Sequence, residues 1–185
     1  MSEMMQAGVA SESGLAVRRV QRPTPGDGQV LVQVAAAGMN RADLNAAKGA
    51  GIASRDALGK PIGMEWAGVV VGTGPGVVGF APGDRVMCSG AGGYAEYAVA
   101  DAGRTLKLDD GFDLKKAAVL PLALLIAHDA LVVNGRLKAG ESVFVQGASS
   151  AVGLMTLQIA RDGRGADLGK LLQCEIGRAS CRERV

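Results

Sequence analysis

A run of small residues lies between an apolar stretch and a helical pattern, and residues of these types in this order could bind a phosphate group. Residues 143–145 predict a buried strand, residues 147–151 a tight turn, and residues 152–160 a helix with one apolar side. Small side chains let a backbone approach a ligand closely, and a helix N-terminus offers free N–H groups and the positive end of its dipole. The pattern therefore favours binding of a dinucleotide pyrophosphate.

The candidate phosphate-binding residues form one short segment: Gly147, Ser149, Ser150, Ala151, Val152 and Gly153. The segment departs from the G-x-G-x-x-G fingerprint, because Ser and Ala stand between its two glycines. Serine hydroxyls could still donate hydrogen bonds to a phosphate. The alternative is an ordinary strand–turn–helix whose serines only cap the helix.

Composition limits the class of protein. A chain of 185 residues, 48% of them apolar, predicts one domain or slightly more, with a sizeable core. A net charge of +2 without a basic tract argues against nucleic acid and anionic membranes as partners. Three scattered cysteines argue against a disulfide framework and for a cytoplasmic location. No segment has the length of a membrane span or the pattern of a signal peptide.

The first part of the chain is predicted to be β-rich. Short apolar runs bounded by Gly and Pro predict strands at residues 15–20, 29–36, 63–74, 85–88 and 94–99, which together indicate a small barrel or sandwich ending near Asp109. Residues 1–13 are poorly patterned and are expected to fray. Residues 41–48 predict a helix with Asn40 as its candidate N-cap.

Helical periodicity replaces the β pattern after that point. Residues 114–120 and 122–131 predict helices around Pro121, and Asn134 and Gly135 end them. The chain then enters the strand–turn–helix described above. A β-rich domain thus passes through helices into the first unit of an α/β sheet.

Five ordered blocks carry a family resemblance: residues 30–34 with 37–44, then 63–70, 80–86, 93–97 and 147–153. Together they resemble the medium-chain dehydrogenase/reductase superfamily, and most of all its zinc-independent NADPH:quinone oxidoreductases. The resemblance implies an α+β chain with a GroES-like β-barrel catalytic domain at residues 1–120. It also implies the start of a nicotinamide-binding Rossmann domain at residues 121–174, left incomplete.

The resemblance implies hydride transfer without a metal. Alcohol-dehydrogenase relatives have Cys where this chain has Asn40 and His where it has Met64, and neither replacement suits a tetrahedral zinc site. The implied cofactor is NADPH and the implied substrate a quinone or an enone. By the same resemblance Asn40 contacts the nicotinamide ribose and the acceptor region, and the N–H groups of residues 150–152 meet the pyrophosphate. A homodimer is expected for the full-length parent.

Several other residues receive structural roles or mark departures from the family. Some members have Tyr where this chain has Asn45, and many have Thr where it has Ile126. Because this chain lacks both hydroxyls, the resemblance does not specify which acceptor is reduced. Tyr94 and Tyr97 are expected to pack within a barrel strand. Of the remaining polar groups, His128 is expected to be structural and Glu65 to partner a backbone or Arg group.

The end of the chain does not continue the expected fold. Only 24 residues follow Arg161, too few for further βαβ units of about 30 residues each, and no second apolar strand is predicted among them. Residues 175–185 resemble the translation of a common sequencing-adapter oligonucleotide. We therefore expect a truncated product with an artefactual tail, which binds NADPH weakly and is inactive.

Two other functions remain open from the residues. The same fold could serve an enoyl-thioester reductase. A non-catalytic barrel module is the third possibility, because the Tyr and Thr hydroxyls of the family are missing and the chain has one histidine.

Overall fold

The computed structural model describes residues 3–11, 14–47, 58–164 and 172–174. The chain divides into two compact units, Met1–Pro121 and Leu122–Val185. The division falls one residue beyond the boundary expected at residue 120. That the units are domains with separate roles stays a prediction.

The first unit opens with a hairpin that was not expected. Strand β1 (Met4–Ser11) pairs antiparallel with β2 (Gly14–Gln21) along its whole length. The expectation that residues 1–13 fray is therefore wrong for the described part of that segment. Met5, Ala7 and Val9 of β1 are buried on alternate positions, as the two-residue period of a strand requires.

A five-stranded antiparallel sheet forms the body of the first unit. Its strands are β3 (Gln29–Ala37), β4 (Glu65–Thr73), β5 (Arg85–Ser89), β6 (Tyr97–Asp101) and β7 (Thr105–Lys107), in the order β6-β3-β4-β5-β7. The register of β3 against β4 shifts at two places, and such bulges increase the local twist. The result is a curled sheet, as expected of a small barrel.

The core of this unit lies on one face of the sheet, around Trp66. The indole is completely buried and packs with valines of the central strands, among them Val30, Val32 and Val86. Two short helices complete the unit. Helix α1 (Arg41–Ala47) follows β3, and α2 (Leu114–Ala117) begins at Asp113, whose carboxylate accepts the N–H of Lys115.

The second unit is mainly helical. Helix α3 (Pro121–His128) starts at the end of the first unit and runs into a π-helical turn (Asp129–Asn134). Strand β8 (Phe144–Gln146) and helix α4 (Ala151–Arg164) form the predicted strand–turn–helix. Leu131, Leu137 and Ala160 form a buried cluster among the described residues of this unit.

A second strand in this unit corrects an expectation. Strand β9 (Leu172–Cys174) pairs parallel with β8, whereas no strand was predicted after Arg161. Three residues, one of them Gln, are too few to show a strand period. The proposed tail at residues 175–185 lies outside the described residues.

Candidate functional site

The first candidate site lies where β3 gives way to α1, at Asn40. The N–H of Asn40 donates to Oδ2 of Asp43 at 2.8 Å, and the N–H of Asp43 donates to the carbonyl of Asn40 at 3.0 Å. The side chain of Asp43 thus makes one half of a capping box, by accepting the N–H that precedes the helix, while the return bond goes to the backbone carbonyl of Asn40 and not to its side chain. The capping carboxylate also fixes the backbone of Asn40.

The side chain of Asn40 binds Glu65 at the start of β4. Its Nδ2 donates to Oε1 of Glu65 at 2.9 Å, and Glu65 is only 3% exposed. An ionised carboxylate only accepts hydrogen bonds, so the nitrogen of the amide must face it and the oxygen Oδ1 must face elsewhere. Glu65 thus partners a side-chain amide, and the backbone or Arg partner expected from sequence stays a prediction.

Tyr94 joins this network from a distant part of the chain. Its hydroxyl lies 2.8 Å from Oδ2 of Asp43 and 3.2 Å from the carbonyl oxygen of Gly38. Burial raises the pKa of the Tyr94 phenol, and the hydrogen bond to Asp43 with its negative charge raises it further. The phenol therefore remains a donor throughout the neutral range. Tyr94 precedes strand β6, and its ring also packs near Ala10 and Ile62, so packing describes only part of its role.

One oxygen of Asp43 is buried without a hydrogen-bond partner among the described residues. Asp43 is 5% exposed, and Oδ1 is that oxygen, while Oδ2 receives both the Asn40 N–H and the Tyr94 hydroxyl. Buried polar atoms usually have partners, so an unpartnered one needs an explanation.

Gly38 makes room for the whole arrangement. A Cβ placed on Gly38 would lie 2.5 Å from Oε1 of Glu65 and 2.8 Å from the carbonyl oxygen of Ala118. The carboxylate that orients Asn40 therefore occupies the space that any other residue type would need at position 38.

The second candidate site is the turn between β8 and α4. Gly147 has φ +72°, a conformation that favours glycine, and the N–H of Ser150 donates to its carbonyl at 2.9 Å. Oγ of Ser150 accepts the N–H of Gly153 at 3.1 Å, so Ser150 is the N-cap of α4. The side chains of Ser149, Ser150 and Ala151 are exposed.

Gly153 brings the helix close to the turn. A Cβ at that position would lie 2.4 Å from the carbonyl oxygen of Gly147 and 2.6 Å from Cα of Ala148. The first turn of α4 therefore packs directly on the backbone that leads into it. Close packing is thus one role of Gly153, and its contact with a cofactor stays a prediction.

The residues that could ligate a metal are dispersed. No group of three or more His, Cys, Asp or Glu that could hold a metal ion occurs within residues 3–11, 14–47, 58–164 and 172–174. Cys88 is completely buried in β5, and burial raises its pKa to about 12, so it carries a thiol and not a thiolate. His128 is exposed at the end of α3.

Sequence reasoning found Asn40 but missed the residues that hold it. The spacing of Asn40 and Asp43 is visible in the sequence as a capping pair, and that signal could have pointed to Asp43. Gly38 and Tyr94 gave no local signal, because their roles depend on contacts with residues far along the chain.

The comparisons with known proteins bear on the first unit most directly. Residues 26–110 match the alcohol dehydrogenase GroES-like domain. That part of the chain belongs to this family. The GroES-like domain thus covers β3 to β7 and contains the whole Asn40 site.

Relatives of known name extend the likeness beyond the GroES-like domain. The chain is 40% identical over 141 residues to the quinone oxidoreductase of Rattus norvegicus, which covers 75% of this chain and 43% of that protein. It is also 40% identical over 140 residues to the pikromycin polyketide synthase component PikAII of Streptomyces venezuelae, covering 75% of this chain and 4% of that protein. The expected resemblance to quinone oxidoreductases is confirmed, over less than half the length of these relatives.

Solved structures show the same fold. An alcohol dehydrogenase superfamily protein from Novosphingobium aromaticivorans matches with a TM-score of 0.82 at 32% identity, over 95% of this chain and 54% of that one. The CurK enoyl reductase matches with a TM-score of 0.77 at 25% identity, over 92% of this chain and 53% of that one. Among the described residues, no helix is long and apolar enough to cross a bilayer.

Proposed function

We propose that a protein carrying this sequence is an oxidoreductase that passes a hydride from NADPH to a quinone or a similar electron-poor acceptor, without a metal. The observation that carries the proposal is the turn between β8 and α4, with its left-handed Gly147 and its exposed helix start. The likeness to quinone oxidoreductases supports the choice of acceptor. A homodimer and a cytoplasmic location belong to the same proposal.

The turn fits a diphosphate on physical grounds. In any α-helix the first N–H groups have no intrahelical acceptor, and in α4 these include the N–H groups of Ala151 and Val152. The exposed side chains around them are small, so a phosphate can reach the backbone. We propose that Gly147, Ser149 and Ser150 line this approach, while Gly153 holds the helix against the turn.

Asn40 is proposed to contact the nicotinamide ribose and the acceptor region. When bound, the nicotinamide supplies the hydride. Because Nδ2 of Asn40 is held by Glu65, the amide keeps its oxygen and one N–H for ligands. The protein's contribution would then be alignment of the reacting groups.

The chemistry of the side chains supports catalysis without zinc. Asn40 and Met64 offer an amide and a thioether where a zinc site needs thiolate, imidazole or carboxylate. Cys88 in β5 has its pKa raised to about 12 by burial and would have to lose its proton to ligate a metal.

The second candidate function is reduction of an enoyl thioester. It is favoured by the likeness to a polyketide synthase component and to the CurK enoyl reductase. A chimera can separate the two substrates: residues 26–110 would replace the matching domain of the rat quinone oxidoreductase. We expect the chimera to reduce quinones with NADPH, and preference for enoyl-CoA would favour the second function.

The cofactor site can be tested on the chain itself by NMR. NADPH added to the ¹⁵N-labelled chain is expected to shift the amides of Ser150, Ala151 and Val152, with a dissociation constant of about 1 mM or weaker. Ala151→Glu places a negative charge at the proposed diphosphate site and should weaken these shifts, whereas Gln158→Glu adds the same charge at an exposed position two turns later and should not. Shifts that spare the turn would contradict the proposed function, and micromolar affinity would contradict the expected weakness of this chain.

A further inference from the structure

The strongest feature that the proposed function leaves unused is the pair of side chains behind Asn40. We propose that Asp43 and Tyr94 are positioning residues that fix Asn40 in its working geometry before any ligand arrives. The inference rests on the proposed function, because it assigns Asn40 a ligand to meet.

The backbone of Asn40 is held through one oxygen atom. Oδ2 of Asp43 accepts from the N–H of Asn40 and from the hydroxyl of Tyr94, both at 2.8 Å. Two donors on one acceptor atom restrict the side-chain torsions of Asp43. Because Asp43 also starts α1 through its N–H bond to Asn40, the loop and the helix become one rigid piece.

Tyr94 also contacts the part of the loop that precedes Asn40. Its hydroxyl is also 3.2 Å from the carbonyl oxygen of Gly38, two residues before Asn40. The phenol ring is held by its own packing near Ala10, Ala47 and Ile62. Because its ring is packed in this way, Tyr94 fixes the position of the loop through a contact outside α1.

The side-chain amide of Asn40 is fixed independently by Glu65. Only the nitrogen of the amide can face a carboxylate, so a 180° flip would place two oxygens 2.9 Å apart. Backbone position is thus set by Asp43 and Tyr94, and amide orientation by Glu65. An Asn held at both ends loses little conformational entropy on ligand binding, which is what preorganisation means energetically.

The arrangement argues against a purely structural role. Capping the N–H of Asn40 needs only Asp43 Oδ2, yet Tyr94 adds a second donor to that atom, and Oδ1 stays buried without a partner among the described residues. A carboxylate kept buried with one unpartnered oxygen is unfavourable for stability. Such a cost is typical of functional sites, where geometry takes precedence over stability.

The test compares two tyrosines in the ligand-free chain. Solvent exchange of the backbone N–H of Asn40, measured by NMR, is expected to rise about tenfold in Tyr94→Phe, the order expected for loss of one hydrogen bond. Tyr97→Phe is the matched control, because Tyr97 contacts Arg22 through its ring and its hydroxyl is not part of the network. Equal exchange in both variants, or no change in either, would overturn the proposal.

A second variant keeps the test informative if Tyr94→Phe does not fold. Asp43→Asn retains the size of the side chain, and its amide oxygen can accept from Tyr94 or from the Asn40 N–H. The amide lacks the negative charge of the carboxylate, so it does not hold both donors as Asp43 does. We expect an intermediate rise in Asn40 exchange, with the unfolding midpoint of the chain changed less than by Asp43→Ala. Unchanged exchange in Asp43→Asn would count against the proposal.

The same samples separate this inference from the proposed function. NADPH is added to the unmodified chain and the Asn40 amide signals are followed. If the variants loosen Asn40 while NADPH leaves its signals unmoved, the positioning is supported and the cofactor role of Asn40 fails. If NADPH moves the signals but the variants do not loosen Asn40, the function is supported and the positioning fails.

Discussion

Asn40 shows how one residue type can change the chemistry of a site. Where metal-dependent relatives are expected to have Cys, this chain has an amide that binds a buried carboxylate at 2.9 Å. The carboxylate of Glu65 is thereby engaged with a neutral partner. At this scale the candidate site is a hydrogen-bond network of Asn40, Asp43, Glu65 and Tyr94, assembled around Gly38.

Gly38 gives the sharpest stability prediction for this network. In Gly38→Ala the new Cβ would lie 2.5 Å from Oε1 of Glu65, so the carboxylate or the backbone must move. We expect a loss of about 2 kcal/mol in the free energy of unfolding, as for other overpacked sites. Urea unfolding followed by fluorescence measures it. Gly111→Ala is the control, since its Cβ would meet nothing within 4 Å, and an equal loss there would contradict the prediction.

Cys88 predicts how stability depends on alkaline pH. Burial raises its pKa from 9.0 to about 12, so above about pH 9 the unfolded chain loses the thiol proton while the folded chain keeps it. Stability therefore falls as pH rises from 9 towards 12, by about 1.4 kcal/mol for each pH unit.

Comparing urea unfolding near pH 8 and pH 10 tests this dependence. Cys88→Ala should reduce the loss of stability between the two pH values, whatever its effect on stability at pH 8. Tyr94, whose pKa is also raised, contributes in the same direction, so Tyr94→Phe should reduce the loss further. A loss that is the same with and without Cys88 would show that the thiol does not titrate in this way.

Among the elements, α4 depends on the cap that starts it. Oγ of Ser150 accepts the N–H of Gly153 at 3.1 Å, and Ser150→Ala should destabilise α4 by about 1 kcal/mol. Amide hydrogen exchange of residues 154–160 measures the change. Ser149→Ala is the matched control, because Ser149 is exposed and precedes the cap. If Ser150→Ala and Ser149→Ala destabilise α4 equally, Ser150 does not cap the helix.

Elements with a clear period were predictable from the sequence, and elements held by distant partners were not. β3 and β4 have Val-rich runs, and α4 has a helical apolar spacing, so each was found. β1 was missed because Met4–Ser11 lacks such a run and is defined by its pairing with β2. β9 was missed because three residues carry no period.

The candidate site divides in the same way. Asn40 could be found from its family position and Asp43 from its capping distance, because both signals lie within four residues. Tyr94 lies 51 residues from Asp43, and Glu65 lies 25 residues from Asn40. No local pattern specifies which distant tyrosine or glutamate will close the network, and only the folded sheet brings them together.

For the whole molecule, the two compact units predict two levels of stability. One cluster in the first unit has eight buried residues around Trp66, whereas the described cluster that α4 joins in the second has three, Leu131, Leu137 and Ala160, beside strands of three residues. We expect the amide hydrogens of α4 to exchange with solvent through local unfolding. The free energy of that unfolding should be lower than for the amide hydrogens of β3 and β4.

Two probes can separate the units. Trp66 is the chain's single tryptophan and lies in the first unit, so its fluorescence follows that unit alone. In urea, helical circular dichroism should begin to fall before the fluorescence changes, and residues 1–121 expressed alone should keep the fluorescence transition. Coincident transitions, or an unfolded 1–121 fragment, would show that the chain unfolds as one cooperative unit.

The distance along the chain between Asp43 and Tyr94 has a consequence for biosynthesis. While the polypeptide leaves the ribosome, α1 can form before Tyr94 has been synthesised, but the phenol that completes the network arrives only 51 residues later. The hydrogen-bond network around Asn40 must therefore be completed late in the synthesis of its domain, and a nascent chain halted at residue 90 would carry Asn40 without Tyr94. Contacts of such long range also slow spontaneous refolding, so recovery of an ordered Asn40 after dilution from denaturant should lag behind formation of the hairpin.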